Sequence, residues 1–383
     1  MLSDYNIENE LFERYEQAAR DSFPSAFVSK ENILSLANEA AVPARNFEYL
    51  SDFLNYADEK LMHFIWLLYY IQFKSDEDII YDYHSIDRWP KPKEAEEKFP
   101  GGIGSAVYLL AAENLKKWVK KRNLGEDIVE GYYTRYRYFL ELNGGNPGVL
   151  GMKRLNGFLY GYAKPFFFRL GRLAFEVAKF EKQVECYADK EGNRIFVASA
   201  EGLFDSDGVL DFKKGKPAVY EKTGNILKAQ KFGSYGRLEN TVTEIDLTKF
   251  SRFLSKEDFV ISIHIPEGGR LDEQSVADSL AYAKNVFEKY FPYCKAFVCN
   301  TWFIDPLLVD DGIVKKGGNM EKFANLFDKA SVVDSYNGPI FELIFKTSFK
   351  PLDELRAEND FQKKVLKRAQ SGKKMYWCYG VLK

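Results

Sequence analysis

Histidine is scarce in this sequence: three among 383 residues. The four cysteines (Cys186, Cys294, Cys299 and Cys378) include no Cys-x-x-Cys pair. That spacing argues against zinc, and a chain this long does not need a disulfide framework; no metal is expected, and a reducing cytoplasm fits best. Charge of one sign is also missing. Lys and Arg total 54, Asp and Glu 56, and neither forms a long block. Nucleic acid is therefore not an expected partner. The cluster Lys116-Lys117 with Lys120-Lys121-Arg122 reads as the polar face and basic C-terminal end of a helix. The most apolar run, 61–73, is interrupted by His63 and Gln72 and falls well short of the ~20 residues of a membrane span. It reads as a buried helix, with no membrane expected as a partner. The first residues, Met1-Leu2-Ser3-Asp4-Tyr5, lack the apolar stretch of a signal peptide. Internal repeats and low-complexity segments are absent.

What is abundant is aromatic: 32 Phe and 24 Tyr, spread along the chain. They predict either bulky cores or an aromatic-lined pocket. The length predicts two domains.

Helical spacing marks 8–21, 30–40, 46–73, 105–122 and 126–142, with Gly125 as a C-terminal cap of the fourth. Gly101-Gly102-Ile103-Gly104 is either a plain helix start or an anion cradle; it lacks the Lys-Ser/Thr of a phosphate loop and a preceding strand. The segment Asn143-Gly144-Gly145-Asn146-Pro147-Gly148 reads as a linker. It suggests a helical N-terminal domain, 1–143, and a second domain, 144–383. In the second, strands are expected at 165–180, 184–189, 194–200, 237–247, 259–265, 295–301, 340–345 and 375–382. A loop rich in Gly and Lys is expected at 202–235. Helices are expected at 273–290, 305–309, 319–329 and 358–371. The fold class is α+β: helices first, then a mixed sheet flanked by helices.

His264 is the most informative residue. It ends an apolar strand and precedes Ile265-Pro266-Glu267-Gly268-Gly269-Arg270 and a long helix. A strand, glycine loop and helix in this order can aim backbone N–H groups at a phosphate.

Four segments follow one another in order: Leu170-Gly171-Arg172-Leu173-Ala174-Phe175-Glu176; Ile263-His264-Ile265-Pro266; Cys299-Asn300-Thr301-Trp302-Phe303-Ile304-Asp305-Pro306; and Gly318-Asn319-Met320 with Phe323 and Phe327. Together they resemble bacterial acyltransferase-domain proteins that join a helical N-acyltransferase N-terminal domain to a GNAT-like C-terminal domain. The resemblance is carried by the C-terminal two thirds. It implies acetyl-CoA or another acyl-CoA as co-substrate, held where two strands, 259–265 and 295–301, splay apart. It places the pyrophosphate on the 267–270 loop and the pantetheine arm beside the helix that begins at Asn319. The implied acceptor is a small-molecule or peptide amine, approached from the side of the helical domain. Two departures stand out. The usual Arg/Gln-x-x-Gly-x-Gly/Ala loop is replaced by Gly268-Gly269-Arg270. The tyrosine that often serves as acid is missing, with Leu326 and Phe327 in that region.

The chemistry needs a held donor, a polarised carbonyl and a proton acceptor. His264 is either that acceptor or a core histidine bonded to a backbone carbonyl. Glu176 is the second catalytic candidate. Strand alternation puts it on one face with Arg172, so it pairs with Arg172, meets a substrate amine or lies on an exposed face. Ile265, Gly268, Gly269 and Arg270 form the candidate diphosphate loop; the alternative is a plain loop with a solvated arginine. Cys299 is either a thiol nucleophile or a buried structural cysteine, and the strand N–H beside it is the candidate oxyanion donor. Trp302 either walls the acyl pocket or packs in the core, and Ser279 reads as a packing residue. Three functions remain open: an acyl-CoA-dependent N-acyltransferase, a non-catalytic acyl-CoA or ligand-binding module on the same fold, and a structural protein whose two strands stay fully paired.

Overall fold

The computed structural model describes residues 2–74, 89–141, 157–266, 268–334, 338–345 and 350–383. The chain divides into two compact units, Met1–Leu170 and Gly171–Lys383. The 143–148 linker and the boundary expected at 143/144 lie outside the described residues.

The first unit is built from helices α1 (Glu10–Asp21), α2 (Lys30–Glu39), α3 (Ala44–Tyr56), α4 (Glu59–Phe73), α5 (Lys93–Lys98), α6 (Gly102–Arg122), α7 (Asp127–Glu141) and α8 (Gly157–Ala163), ending in strand β1 (Phe167–Leu170). The helix expected over 46–73 is two helices. Ala57 takes an extended conformation, and Asp58 caps α4 by accepting a hydrogen bond from the Leu61 N–H at 2.9 Å. The cap of α6 is Asn123, in the left-handed region, and not Gly125. The aromatics are core: Tyr69, Tyr108, Tyr132, Tyr136, Phe12, Phe53, Phe64 and Phe139 are fully buried. Several polar ends are satisfied internally: the Trp66 indole N–H donates to the Ala19 carbonyl at 2.8 Å, and the Tyr132 hydroxyl donates to the Tyr108 carbonyl. The 101–104 glycine cluster is buried, and a Cβ on Gly102 would meet the Phe53 ring at 2.7 Å. Close helix packing explains the glycine at 102.

In the second unit one sheet runs β2 (Leu173–Lys179), β11 (Phe259–His264), β12 (Phe297–Thr301), β14 (Tyr376–Leu382), β13 (Phe327–Asp334). Only β11 and β12 are parallel; the other neighbours are antiparallel. A second sheet holds β3 (Val184–Ala188), β4 (Arg194–Ala198), β7 (Tyr220–Thr223), β8 (Ile226–Phe232), β9 (Leu238–Asp246) and β10 (Ser251–Leu254). Strands β5 (Leu203–Phe204) and β6 (Lys216–Pro217) form a small pair. The two large sheets share a core that includes Phe180, Cys186, Phe196, Val260, Val298 and Val381. On the opposite face of the first sheet lies α9 (Glu273–Tyr290), whose Phe287 packs on Phe175 and Phe297.

Four expectations are corrected. The strand expected over 165–180 breaks at Gly171, whose φ is +70° and whose added Cβ would meet Ser279 Oγ at 2.8 Å. The 202–235 loop contains β5 to β8, because Leu227 and Ala229 alternate inward against outward polar neighbours. The helix expected over 319–329 stops early as α11 (Asn319–Ala324), after the short helix α10 (Leu307–Asp310), and the chain becomes β13. Gly380 permits that pairing: a Cβ there would meet Phe327 Cβ at 2.7 Å. The apolar run at 340–345 is helix α12 (Gly338–Phe345) and not a strand. Ile340, Phe341 and Ile344 fall at helical spacing and pack with Val365 of α13 (Asp360–Gln370).

Candidate active site

The antiparallel register of β2 and β11 sets the site. His264 lies opposite Ala174, and Ser262 opposite Glu176. Glu176 and His264 are thus diagonal neighbours on one face, within reach of each other across the strands. Alternation turns Ile261 and Ile263 toward α9 and Val260, Ser262 and His264 away from it. The His264 Nε2 and Glu176 Oε2 atoms are 2.9 Å apart. The carboxylate is only 8% exposed, while the imidazole is 34% exposed. One buried acid therefore holds a ring whose edge reaches solvent. When the imidazole is neutral and its Nε2–H donates to the carboxylate, its other nitrogen is an acceptor.

Across the strands His264 meets a carboxylate, that of Glu176. One reading of these residues is corrected. Glu176 does not pair with Arg172, because Arg172 belongs to the turn before β2 and not to the same strand face. The Arg172 guanidinium instead donates to the carbonyls of Pro266 (2.8 Å) and Arg270 (3.1 Å). Its backbone N–H donates to Ser279 Oγ at 2.7 Å, and Ser279 Oγ–H donates to the Ser275 carbonyl at 2.8 Å. Ser279 is a buried structural link.

Beyond His264, Ile265 and Pro266 are half-buried. Gly268, Gly269 and Arg270 are exposed, with the two glycines at φ +88° and +68°. The backbone N–H groups of these three residues donate to no other group among the described residues. Glu267 lies outside the described residues. The start of α9 is partly occupied from within: the Asp272 carboxylate accepts from the Ser275 N–H at 2.9 Å.

The parallel pairing of β11 with β12 is confined to Ile261–Phe297 and Ser262–Val298. Past that point the Cys299 thiol donates to the Ile263 carbonyl at 3.4 Å. The strands therefore part on the His264 side, which counts against a purely structural, fully paired sheet. Burial pushes the Cys299 thiol up to about 12, so it is protonated at neutral pH and unsuited to nucleophilic attack. Asn300, exposed on β12, shares the face of Ser262 and His264. Sequence reasoning passed over Asn300, since only the strand register reveals its place.

A groove of about 450 Å³ opens between the first half of α9 and α11. Leu271, Val276, Leu280, Phe323 and Leu326 make it mostly apolar, with Asn319 at its edge. Lys322 and Glu273 form an ion pair between the two helices that line it. Trp302 stands elsewhere, half-buried against Phe361 and the cluster around Leu308 and Val365. It is a packing residue, not a wall of this groove.

A more polar cavity of about 760 Å³ lies on the other side of α11, and Asp305 contributes to its wall. Asp305 Oδ1 accepts from the Leu307 N–H at 3.0 Å, while its buried Oδ2 has no hydrogen-bond partner among the described residues. Burial pushes this carboxyl up to about 6, against the pull of Arg368 and Arg237. Because its folded pKa lies above the unfolded value, ionisation costs stability as pH rises through that interval. Asp305→Asn should therefore gain thermal stability over wild type from about pH 4 to about pH 6, by roughly 3 kcal/mol in all, and hold that gain at higher pH. Melting curves across this range check it; a gain independent of pH would exclude ionisation as the cause.

These features match a known family. Residues 167–382, more than half the chain, match the GNAT-like C-terminal domain. The protein belongs to that family. Solved structures of similar fold span both units. An acyltransferase in complex with CoA and 10C-teicoplanin is 15% identical, with a TM-score of 0.58 over 100% of this chain and 98% of its own. A mutant acyltransferase in complex with octanoyl-CoA gives the same values. An acyltransferase in complex with decanoyl-CoA and teicoplanin is 15% identical, with a TM-score of 0.56 over 92% of this chain and 87% of its own. At this identity the likeness establishes the fold. No curated protein matches the chain. Among the described residues there is no helix long and apolar enough to cross a membrane and no cluster of metal-ligating side chains.

Proposed function

We propose that this protein is an acyl-CoA-dependent N-acyltransferase. The observation that carries the reading is the parting of β11 from β12 beside the open backbone N–H groups and the Glu176–His264 pair, with an apolar groove between α9 and α11. The donor's phosphates would meet the 268–270 backbone, and its pantetheine or acyl portion would lie in the groove between α9 and α11. A β12 N–H near Cys299 would polarise the thioester carbonyl. The amine nitrogen attacks that carbon as His264 takes the amine proton. The C–S bond then breaks, and CoA leaves as the thiol once its sulfur is protonated. Glu176 holds the imidazole and offsets its positive charge.

The similar structures hold octanoyl-CoA, decanoyl-CoA and teicoplanin compounds. They support a donor longer than acetyl-CoA and a small-molecule amine acceptor. The missing tyrosine is met by the dyad: a histidine on β11 supplies a proton-transfer group that the α11 region lacks. Four free cysteines suit a reducing cytoplasm.

Two measurements test the reading. Saturating octanoyl-CoA or decanoyl-CoA should raise Tm, since ligand at about 100 times Kd adds ~2.7 kcal/mol of stability. Thiol release should then appear with at least one amine of a panel. Binding without turnover on any amine would leave a non-catalytic binding module, and the absence of a shift with every CoA species would end both readings.

A further inference from the structure

We propose that the polar cavity on the far side of α11 from the apolar groove binds a neutral, hydroxyl-rich small molecule of the sugar class, with Asp305 as its buried hydrogen-bond acceptor. The cavity measures about 760 Å³, a size usual for small-molecule sites, and every residue that lines it belongs to the second unit. Asp305 is only 4% exposed. Its Oδ1 is taken by the Leu307 N–H at 3.0 Å, and its Oδ2 has no hydrogen-bond partner among the described residues. Arg368 and Arg237 attract the carboxylate through space but donate nothing to Oδ2. A buried acceptor without a donor is costly, and a ligand hydroxyl in the cavity supplies the donor that the protein does not. The terminal torsion of an aspartate is broad, so a modest turn of the carboxyl presents Oδ2 to the cavity.

The rest of the wall selects the ligand class. Its charges nearly cancel. Asp328 stands 3.7 Å from Arg194, and Asp310 and Glu321 are offset by Lys329 and Lys383. A phosphate or a polyamine would therefore meet as much repulsion as attraction. Several of these groups are also engaged within the protein. The Tyr235 hydroxyl donates to Asp310 at 2.8 Å, the Gly317 N–H to Glu321, and the Lys329 ammonium to the Phe327 carbonyl at 2.9 Å. Hydroxyl groups both donate and accept, so they suit a wall that carries carboxylates and ammonium groups together. Phe196, Phe232, Tyr235 and Phe303 give the same wall aromatic rings, on which the C–H face of a sugar packs. The site does not depend on the acyl-CoA reading.

Saturation-transfer NMR of the full chain with glucose, galactose, maltose and inositol, and with inorganic phosphate and spermidine as charged counter-probes, tests this. At least one neutral polyol should bind saturably, and neither counter-probe more tightly. In Asp305→Asn the Leu307 N–H keeps the side-chain oxygen, so the amide NH₂ takes the place of Oδ2 and a donor replaces an acceptor. The variant should lose about tenfold or more in polyol affinity, the loss of one hydrogen bond to a charged group, while its Tm without ligand rises. Binding lost from a more stable protein does not come from misfolding. Ser234→Trp, at an exposed position on the wall, should weaken the same polyols by filling part of the cavity, and decides by the same comparison if Asp305→Asn fails to fold. Polyol affinity unchanged in Asp305→Asn overturns the proposal, as does tighter binding of either counter-probe. No binding of any polyol leaves a cavity that holds only water, and overturns it too.

Discussion

His264→Ala lowers turnover about 10²–10⁴-fold, the usual range for loss of a general base, and leaves acyl-CoA affinity close to that of wild type. The split follows from geometry. The imidazole ends β11 on the face directed away from α9, whereas the apolar groove is lined by α9 and α11. Removing the ring therefore removes a proton acceptor without touching the groove. Steady-state kinetics with the best amine, together with binding isotherms for octanoyl-CoA, measure both quantities. Unchanged turnover would remove His264 from the mechanism, and loss of soluble protein would mark it as structural. Replacing Glu176 with Gln keeps the volume and removes the charge that holds the ring.

Ala277→Trp weakens octanoyl-CoA binding by roughly tenfold to a hundredfold. Ala277 is exposed on α9 and lines the groove. An indole there displaces part of a cavity of about 450 Å³. Forcing excess volume into a fitted apolar space costs ~1–3 kcal/mol, and each 1.4 kcal/mol is tenfold in affinity. Because the alanine faces open space, Tm without ligand should stay close to wild type. Binding isotherms with octanoyl-CoA decide the matter. Undiminished affinity would place the donor somewhere other than this groove.

Local features of the sequence revealed much of the frame. The strand before His264 and the helix over 273–290 follow directly from apolar periodicity, and the observed bounds are Phe259–His264 and Glu273–Tyr290. The four ordered segments pointed to the family that residues 167–382 match. Local pattern misleads where it is ambiguous. The short apolar run at 340–345 suits a strand or a buried helix equally, and packing on Val365 selects the helix. The break at Gly171 has no local signature, because the group that a Cβ there would meet, Ser279 Oγ, lies more than a hundred residues along the chain.

By itself, the sequence determined that the chain is helical first and mixed α and β afterwards, and that His264 stands at a strand end before a glycine loop. Those properties depend on near neighbours and their spacing. Only the tertiary structure decided who meets whom. The antiparallel register of β2 against β11 brought Glu176 to His264, and the turn at Gly171 sent Arg172 to the Pro266 and Arg270 carbonyls. The physical reason is that register and turn geometry are settled by pairing between distant segments, which no local pattern contains.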